Sequence, residues 1–393
     1  MGAAFFHIDL DAFFASVEIL DHPEYRGLPL IIGTPGKRSV ASTCSYEARC
    51  YGVHSAMPMT TALKLCPEAI CIKPRMERYN EKSKEVMSII KSFAPGFLQV
   101  SVDEAFLDFS DMERIYPLAG KAAKELKKRI LDETGLTASI GVAPSRFLAK
   151  LASDYHKPDG LTIVPAGREE EFVDRVGLGK LWGIGQAMKE KLQRKGIHTA
   201  EALRRYKEDE LISLFGRSSG EYLYKASRGI DPGIYQGDAK SHSISTETTF
   251  YNDIYDRDIL EAYLLEMSQE VMFRAIDEKQ IPRTVALKLR YGEDFSTTTV
   301  QITPYEEIYS SDDVYRYLKS LLDSKWDKRG IRLLGAALAN TYEGENPAQM
   351  DFFMENEEKK RKLDKVVLAL SKDGAKIMRA RSLENRERNI KEY

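Results

Sequence analysis

Two strand-like segments carry acidic side chains among apolar ones, and they constrain the fold of this chain most. Residues 4–9 (AFFHID) form an apolar run that ends in Asp9, and residues 98–109 alternate apolar with other side chains around Asp103 and Glu104. Three further periodic segments lie between and after them, namely helical patterns at 78–93 and 119–133 and a strand pattern at 137–142. This order predicts an α+β fold built on a mixed or antiparallel sheet.

Acidic side chains in apolar strands are costly unless a cation meets them, because an unpaired buried charge destabilises a fold by several kcal/mol. Asp9 ends the first predicted strand, and Asp103 and Glu104 lie in the middle of the second. Neighbouring strands would bring the three carboxylates together, and oxygen ligands of this kind suit Mg²⁺. Pairs of divalent ions about 4 Å apart catalyse phosphoryl transfer. We therefore predict a two-metal site; ordinary strand ends are the alternative for any one acid.

Composition excludes several classes of protein. A hydrophobic content of 43% and a charged content of 30% are those of globular proteins, so wholesale disorder is not expected. The formal net charge of −2 gives no global sign of a polyanionic partner, so any contact with nucleic acid must come from local sites. No run approaches the ~18 apolar residues of a membrane helix, and no basic leader is present. We expect a cytoplasmic protein that does not contact a membrane.

Changes of pattern along the 393 residues predict several domains. Short helices punctuated by glycine at 167–229 predict a small helical domain, and residues 231–243 (DPGIYQGDAKSHS) have the composition of a tether. A second α+β unit is predicted by strand patterns at 284–291, 296–303 and 331–340 and by helical patterns at 256–278 and 311–324. A charged helical run follows at 355–370.

Six ordered segments resemble the Y-family DNA polymerases of the bacterial polymerase IV type, and the resemblance covers nearly the whole chain. They are HIDLDAFFASVE (7–18), STCSYEARCYGVHSAMPM (42–59), SVDEAFLDF (101–109), SIGVAPSRFLAKLASDYHKPDGL (139–161), LWGIG (181–185) and KSHSISTETTF (240–250). The resemblance implies a multidomain right-hand polymerase with a mixed-sheet palm, small fingers, a helical thumb containing a helix-hairpin-helix and an α+β little finger. The implied boundaries are 1–16 and 76–165 for the palm, 17–75 for the fingers, 166–230 for the thumb, 231–241 for a linker, 242–342 for the little finger and 343–393 for a tail.

The resemblance also assigns roles around the carboxylates. It makes Asp9, Asp103 and Glu104 the catalytic metal ligands, joined by the backbone carbonyl of Leu10, for two Mg²⁺ ions that Mn²⁺ could replace. It makes Phe14 the steric gate, whose ring would collide with the 2′-hydroxyl of a ribonucleotide. Contacts to the incoming nucleotide are implied for Phe13, Phe14, Thr43, Tyr46, Arg49 and Lys157, and a small-residue roof over the base pair for Ala41 and Ser42. A loose roof checks pair geometry poorly, which implies low fidelity and lesion tolerance.

Three of the implied nucleotide contacts lie three positions apart in the sequence. Thr43, Tyr46 and Arg49 would share one face of a helix. A hydroxyl, a phenol and a guanidinium are suitable donors to phosphate oxygens. The alternative is an arginine on the solvated face of a surface helix.

Contacts to DNA and to a protein partner are implied further along the chain. Gly183, Ile184 and Gly185 precede a basic helical segment and fit a helix-hairpin-helix turn whose N–H groups bind a phosphate; a simple turn is the alternative. In the little finger the implied DNA contacts are Lys288, Arg290 and Arg332, although residues 241–341 hold 12 Lys and Arg against 17 Asp and Glu. The family's sliding-clamp peptide corresponds to Gln349, Met350, Phe352 and Phe353; packing of the two phenylalanines on their own protein is the alternative.

These observations predict a monomeric enzyme that binds primer-template DNA and a dNTP and releases pyrophosphate as the primer 3′-hydroxyl attacks the α-phosphate. No carboxylate cluster suggests a proofreading nuclease. A nucleotidyl cyclase, which also holds two metals, would need neither the hairpin nor the last domain. A catalytically silent scaffold that binds DNA or the clamp is the alternative from another class.

Overall fold

The computed structural model describes residues 5–110, 118–233, 243–343 and 363–370. These residues fall into two compact units, Met1–Asp238 and Ala239–Tyr393. Nowhere in the described ranges is a helix both long and apolar enough to cross a membrane.

The first unit alternates strands and helices before it becomes wholly helical. Its strands are β1 (Phe5–Leu10), β2 (Leu30–Ile32), β3 (Thr43–Cys44), β4 (Ile70–Ile72), β5 (Gly96–Gln99), β6 (Glu104–Asp108), β7 (Ala138–Ala143) and β8 (Leu161–Ile163). Its α-helices are α1 (Phe13–Asp21), α2 (Tyr46–Cys50), α3 (Met59–Leu65), α4 (Met76–Lys91), α5 (Ala119–Thr134), α6 (Arg146–Tyr155), α7 (Glu169–Val176), α8 (Gln186–Arg194), α9 (Ala200–Arg204), α10 (Glu208–Phe215) and α11 (Arg217–Ser227). Short 3₁₀ turns lie at Pro23–Tyr25 and Leu178–Lys180.

A five-stranded mixed sheet in the order β5-β6-β1-β7-β8 forms the centre of this unit. Its strands pair antiparallel except for β7 and β8, so the predicted mixed or antiparallel sheet is confirmed. Successive side chains of a strand point to opposite faces. Phe6 and Ile8 of β1 therefore pack into the core that α4 and α5 also line. His7 and Asp9 point to the other face, where His7 contacts Ser153 of α6.

Residues 98–109 are a hairpin, and the prediction of one continuous strand was wrong. The turn is held by Ser101, whose Oγ accepts hydrogen bonds from the backbone N–H groups of Asp103 (3.3 Å) and Glu104 (3.0 Å). Asp103 therefore precedes β6 and Glu104 is its first residue, rather than both lying in mid-strand. Alternation misled the prediction because Val102, in the turn itself, also packs against the core.

A smaller sheet in the order β3-β2-β4 packs with α2 and α3 around a separate apolar core that includes Ile31 and Met59. Thr43 lies on β3, so the prediction that it shares a helical face with Tyr46 was wrong. The helix begins at Tyr46 because Ser45 caps it: the Ser45 Oγ accepts a hydrogen bond from the N–H of Ala48 at 3.4 Å.

The helices α7 to α11 pack around their own apolar residues, including Phe172, Leu192, Leu203 and Leu223. Their short lengths follow the glycine punctuation that predicted a helical stretch at 167–229. The turn before α8 has Gly183 at φ +89°, a left-handed conformation that favours glycine.

The second unit is a four-stranded antiparallel sheet covered by two helices. Its elements are β9 (Ser243–Ile254), α12 (Arg257–Asp277), β10 (Gln280–Ile281), β11 (Thr284–Tyr291), β12 (Thr297–Ile302), α13 (Ser311–Lys325), β13 (Ile331–Ala339) and β14 (Tyr342–Glu343). The sheet order is β12-β11-β13-β9, and α12 and α13 share one apolar core with it. The predicted strands and helices of this unit are confirmed. β9 was not predicted, because only two of its 12 residues, Ile244 and Phe250, are buried apolar residues.

Residues 363–370 are helical and contact the second unit through Asp364. The carboxylate of Asp364 is buried and accepts hydrogen bonds from Ser311 at the start of α13, from the backbone N–H at 2.7 Å and from Oγ at 2.8 Å.

Candidate active site

The sheet of the first unit brings the predicted acidic residues together. Asp9 and Glu104 are direct register partners on the antiparallel strands β1 and β6. Their side chains share a face because both alternate with core residues on their strands. The N–H of Leu10 donates to the carbonyl of Asp103 at 3.0 Å, so the turn before β6 is fastened to the end of β1. Three carboxylates thus converge from two neighbouring strands.

Two lysines stand beside these carboxylates. Lys157 Nζ lies 2.7 Å from Asp9 Oδ2, and Lys150 Nζ lies 2.8 Å from Glu104 Oε1. Asp103 is instead held by Ser101, whose hydroxyl donates to Asp103 Oδ1 at 2.6 Å. In the part of the chain that the structure describes, no group of three or more His, Cys, Asp or Glu side chains is already arranged as a metal site. Each carboxylate is turned toward a partner of its own.

Burial dominates the electrostatics of this cluster. It raises the pKa of Asp9 to about 8 against the opposing effect of Lys157, and Glu104 adds to the rise. Burial also acts to raise the pKa of Glu104, but Lys150 and the hydrogen bond to Asp9 outweigh it and hold that pKa below its ordinary value. Burial therefore favours a proton on the Asp9 carboxyl, which is hydrogen-bonded to Glu104. A cluster of oxygen donors that is short of positive charge fits a hard divalent cation such as Mg²⁺.

His7 lies behind the cluster as a neutral ring. Burial, and then the nearby charge of Lys150, lower its pKa well below the ordinary value. Its Nδ1 contacts the Ser153 hydroxyl at 2.7 Å, and its Nε2 lies 3.9 Å from Glu104 Oε2. A neutral ring beside Glu104 adds no charge to the site.

A pocket opens beside the carboxylates, and most of the residues predicted to bind the nucleotide line it. Its lining consists of Asp9, Leu10, Ala12, Phe13, Phe14, Ser42, Thr43, Tyr46, Arg49, Ser55, Asp103 and Lys157. Ala41, predicted to share the roof with Ser42, is absent from this lining because it is buried in the core around β3. Glu104 also lies outside the lining, where it is turned toward Lys150.

Two cationic arms reach this pocket. One is Lys157, which is also 2.7 Å from Asp154 Oδ1. The other is Arg49, whose guanidinium lies 4.6 Å from the centre of the Tyr46 ring. Burial, and then the charge of Asp11, raise the pKa of Tyr46 to about 12, so its hydroxyl is a neutral hydrogen-bond donor.

The predicted gate is supported from behind by residues that sequence reasoning missed. The Phe14 ring is stacked on Tyr79, with centroids 4.2 Å apart and planes 11° apart. The Tyr79 hydroxyl donates to Glu18 Oε1 at 2.6 Å, and Glu18 also receives two hydrogen bonds from Arg75 at 2.9 and 2.7 Å. An acid at a core position of α1 is the sequence signal that could have revealed this support.

The residues predicted to contact DNA lie on two other surfaces. In the turn before α8, Ile184 is buried and its N–H donates to the Leu181 carbonyl at 3.0 Å, so that group is not available to a phosphate. On β11, Lys288 and Arg290 share one face by alternation. The Lys288 ammonium is 2.7 Å from Glu247.

The other predicted DNA contacts lie on these same two surfaces, the turn before α8 and the second unit. Gly183 and Gly185 flank the buried Ile184, and Arg332 lies over the Phe295 ring at 4.8 Å. The predicted clamp peptide, residues 349–353, lies outside the described residues.

Family comparisons agree with this architecture. A model described as the impB/mucB/samB family matches residues 8–154, and the model of that family's C-terminal domain matches residues 241–352. A model described as the thumb domain of DNA polymerase-iota matches residues 179–231.

Curated relatives and solved structures point the same way. A DNA polymerase IV from Treponema denticola is 44% identical over 388 residues, covering 98% of each chain. One from Clostridium perfringens is 40% identical over 339 residues, covering 86% of this chain and 94% of the relative. Among solved structures, a Y-family DNA polymerase chimera of Dbh and Dpo4 has a TM-score of 0.75 at 26% identity, covering 87% of this chain and 100% of that one. DinB from Sulfolobus solfataricus has a TM-score of 0.58 at 25% identity with the same coverage.

These similarities confirm the predicted α+β right-hand polymerase fold with its helix-hairpin-helix thumb. They extend over both compact units rather than over the strands of the first unit alone. This chain belongs to the impB/mucB/samB family, the Y-family translesion DNA polymerases of the bacterial polymerase IV type, which are DNA-directed DNA polymerases.

Proposed function

We propose that the pocket beside Asp9 adds deoxynucleotides to a primer 3′-hydroxyl with two divalent ions held by Asp9, Asp103, Glu104 and the backbone carbonyl of Leu10. The observation that carries this proposal is the pairing of Asp9 with Glu104 on neighbouring strands, beside a pocket that Asp9 and Asp103 line and two cationic arms enter. Mg²⁺, or Mn²⁺ in its place, would neutralise charge on the reacting phosphate and on the primer oxygen.

The residues of the chain have separate tasks in this proposal. Thr43, Tyr46, Arg49 and Lys157 bind the triphosphate and orient its α-phosphorus toward the primer. Lys157 Nζ lies 2.7 Å from Asp9 Oδ2, and it would turn to the phosphates when a divalent ion takes its place beside Asp9. The phenol of Tyr46, neutral because burial raises its pKa, donates a hydrogen bond without carrying charge.

Selection of the sugar and of the base pair follows from the walls of the pocket. Phe14 is fixed by its stack on Tyr79, so its ring cannot move aside for a 2′-hydroxyl. Phe13, buried beneath it, supports that wall. Ser42 is a small residue over the nascent pair, and Ala41 behind it keeps the roof thin. Such a roof checks the geometry of the pair poorly, which supports low-fidelity synthesis past lesions.

The relatives and neighbours support the partners in this proposal. The name DNA polymerase IV and a neighbour titled as an insertion ternary complex support binding of primer-template DNA and a dNTP. Gly183 and Gly185 of the thumb, which flank the buried Ile184, would contact the duplex backbone together with Lys288, Arg290 and Arg332 of the second unit. We propose a cytoplasmic monomer. We also propose that it synthesises DNA without proofreading, because none of the three matching family models describes a nuclease.

A primer-extension assay with Mg²⁺ tests the catalytic part. Asp103→Ala should abolish extension and leave DNA binding intact, whereas Asp108→Asn, on the same hairpin but bonded to Ser110, should extend like the parent. Phe14→Ala should admit ribonucleotides. A parent that binds DNA without extending it would establish the scaffold alternative, and a cyclic product formed without template would establish the cyclase.

The tail needs a separate assay. Gln349, Met350, Phe352 and Phe353 are proposed to insert into a pocket on the sliding clamp. Replacing both phenylalanines by alanine should abolish binding to the clamp and leave distributive extension unchanged. Equal clamp binding by parent and variant would refute this assignment.

A further inference from the structure

A fourth acidic residue beside the site, Asp11, has a separate role. Its side chain is 2% exposed and does not line the pocket that Asp9 and Asp103 line. Its backbone is fastened on both sides, since its N–H donates to the Thr137 carbonyl at 3.1 Å and its carbonyl accepts from the Ser16 hydroxyl at 2.6 Å. The backbone of Asp11 is therefore held in place, and its side chain lies outside the lining of the pocket.

The carboxylate is bonded to the loop that follows α6. Asp11 Oδ2 accepts the backbone N–H of Asp159 at 2.8 Å, and Oδ1 accepts the Ser139 hydroxyl at 2.7 Å. Ser139 continues the chain of bonds, because its oxygen accepts the N–H of Gly160 at 3.1 Å. Two successive amides of one loop thus depend on Asp11, one directly and one through Ser139.

This loop carries one of the two cationic arms. Lys157 is two residues before Asp159, and its ammonium enters the pocket. The opposite side of the loop is held by Lys127, whose ammonium lies 2.7 Å from Asp159 Oδ1 and 3.1 Å from the Gly160 carbonyl. Both attachments are made at Asp159 and Gly160, so they fix the loop just after Lys157 and limit where it can place the ammonium.

Asp11 also reaches the second arm. The Tyr46 hydroxyl donates to Asp11 Oδ1 at 3.4 Å, and the same tyrosine ring carries the Arg49 guanidinium over its face. One buried carboxylate therefore touches both the α2 arm and the loop of Lys157. All its donors are neutral groups, so its charge strengthens each hydrogen bond without cancelling either cation.

We infer that Asp11 is a positioning residue that sets the spacing between Lys157 and the Tyr46–Arg49 pair, and thereby the affinity for the triphosphate of the incoming nucleotide. It acts through these groups and touches neither the nucleotide nor a metal ion. This inference rests on the proposed function, since it assumes that the two arms bind a triphosphate.

The test compares nucleotide affinity with turnover in the full chain. Asp11→Ala removes three hydrogen bonds, so we expect the KM for dNTP to rise about tenfold to hundredfold with kcat at saturating dNTP within about threefold of the parent. Equilibrium binding of dNTP to the enzyme on a dideoxy-terminated primer should weaken by the same factor. Asp11→Asn keeps an oxygen for the Asp159 amide and should recover most of the affinity.

A double-variant cycle identifies the route. Once Lys157→Ala has removed the first arm and Tyr46→Phe has removed the hydroxyl that bonds Asp11 to the second, adding Asp11→Ala should change dNTP affinity by less than about threefold. Asp313→Ala, a buried carboxylate bonded to Ser310 in the second unit, controls for lost stability and should leave dNTP affinity unchanged. If circular dichroism shows that Asp11→Ala is unfolded, Ser139→Ala, which breaks the same chain of bonds, takes its place.

Three results would overturn the inference. A loss of kcat with unchanged dNTP affinity, repeated in Asp11→Asn, would make Asp11 a metal ligand. If Asp11→Ala weakens dNTP affinity equally in the parent and in the Lys157→Ala, Tyr46→Phe variant, then Asp11 does not act through those two residues. Unchanged affinity in Asp11→Ala would leave it without a role in binding. A parent enzyme that neither extends primers nor binds dNTP would instead refute the proposed function, so the two failures are distinguishable.

Discussion

The acidic pair at the centre of the sheet should make the metal-free protein less stable as pH rises. The folded pair keeps a proton because burial raises the pKa of Asp9 from 3.8 to about 8, whereas the unfolded chain has lost that proton above pH ~4. The folded state therefore binds more protons between these values, and its stability falls as pH rises through this window. The penalty is absent below pH ~4 and complete above pH ~8.

The size of the effect follows from the same values. The difference between 3.8 and about 8 corresponds to about 6 kcal/mol at ~1.4 kcal/mol per pH unit. Glu104 shares the proton and its pKa moves the other way, so we expect about half of this, about 3 kcal/mol, for the pair. Asp9→Asn keeps the volume and removes the charge. Its advantage over the parent should grow by about 3 kcal/mol between pH 4 and pH 8.5.

Thermal unfolding in EDTA across this pH range measures the difference. For a unit of about 240 residues, 3 kcal/mol corresponds to a Tm difference of about 6–12 °C. Mg²⁺ should raise the Tm of the parent and not that of Asp9→Asn, while Asp108→Asn should follow the parent's pH profile. A Tm difference that is independent of pH, or a parent more stable than Asp9→Asn at pH 8.5, would refute the assignment of a buried, cation-deficient pair.

Two further substitutions test neighbouring parts of the molecule. Glu247→Gln should free Lys288 from its 2.7 Å ion pair and raise the affinity for duplex DNA about threefold. The slope of log affinity against log salt concentration should steepen by about one released counterion. A filter-binding series that shows neither change would exclude Lys288 from the DNA contact. Gly160→Ala would place a Cβ 2.1 Å from the His156 carbonyl oxygen, so it should destabilise the first unit by about 2 kcal/mol and weaken dNTP binding. Calorimetry and a KM measurement would show these two effects. A Tm like that of the parent would mean that the loop can shift freely.

The fold was largely predictable from periodicity because most strands and helices bury one face. The helices at 78–93 and 119–133 matched α4 and α5 to within two residues. Prediction failed where a side chain interrupts the backbone pattern, as Ser101 does by holding a turn inside an apparently continuous strand. It also failed at β9, since little of that edge strand is buried.

Local pattern predicted only the acidic residues of the site, and the resemblance to the family supplied the residues predicted to contact the nucleotide. Asp9, Asp103 and Glu104 stand out because acids in apolar strands are locally anomalous. Lys150 and His7 give no such signal, since a lysine in a helix and a histidine in a strand are ordinary until the fold places them next to Glu104. No local pattern reports a contact between residues 46 positions apart, as Lys150 and Glu104 are.

Contacts that the sequence did not reveal explain how the fold tolerates these buried carboxylates. A single segment, residues 146–160, supplies Lys150 to Glu104, Lys157 to Asp9 and the amides that fix Asp11. Lys157 is also paired with Asp154, and Asp103 is held by Ser101, so the two lysines do not balance all the acids of the site. Burial raises the pKa of Asp9 to about 8 and so favours a proton on that carboxyl. Any divalent ion that enters must displace this proton and compete with both lysines. Affinity for the proposed metal ions would therefore depend on α6 and its following loop as well as on the strands that carry the proposed ligands.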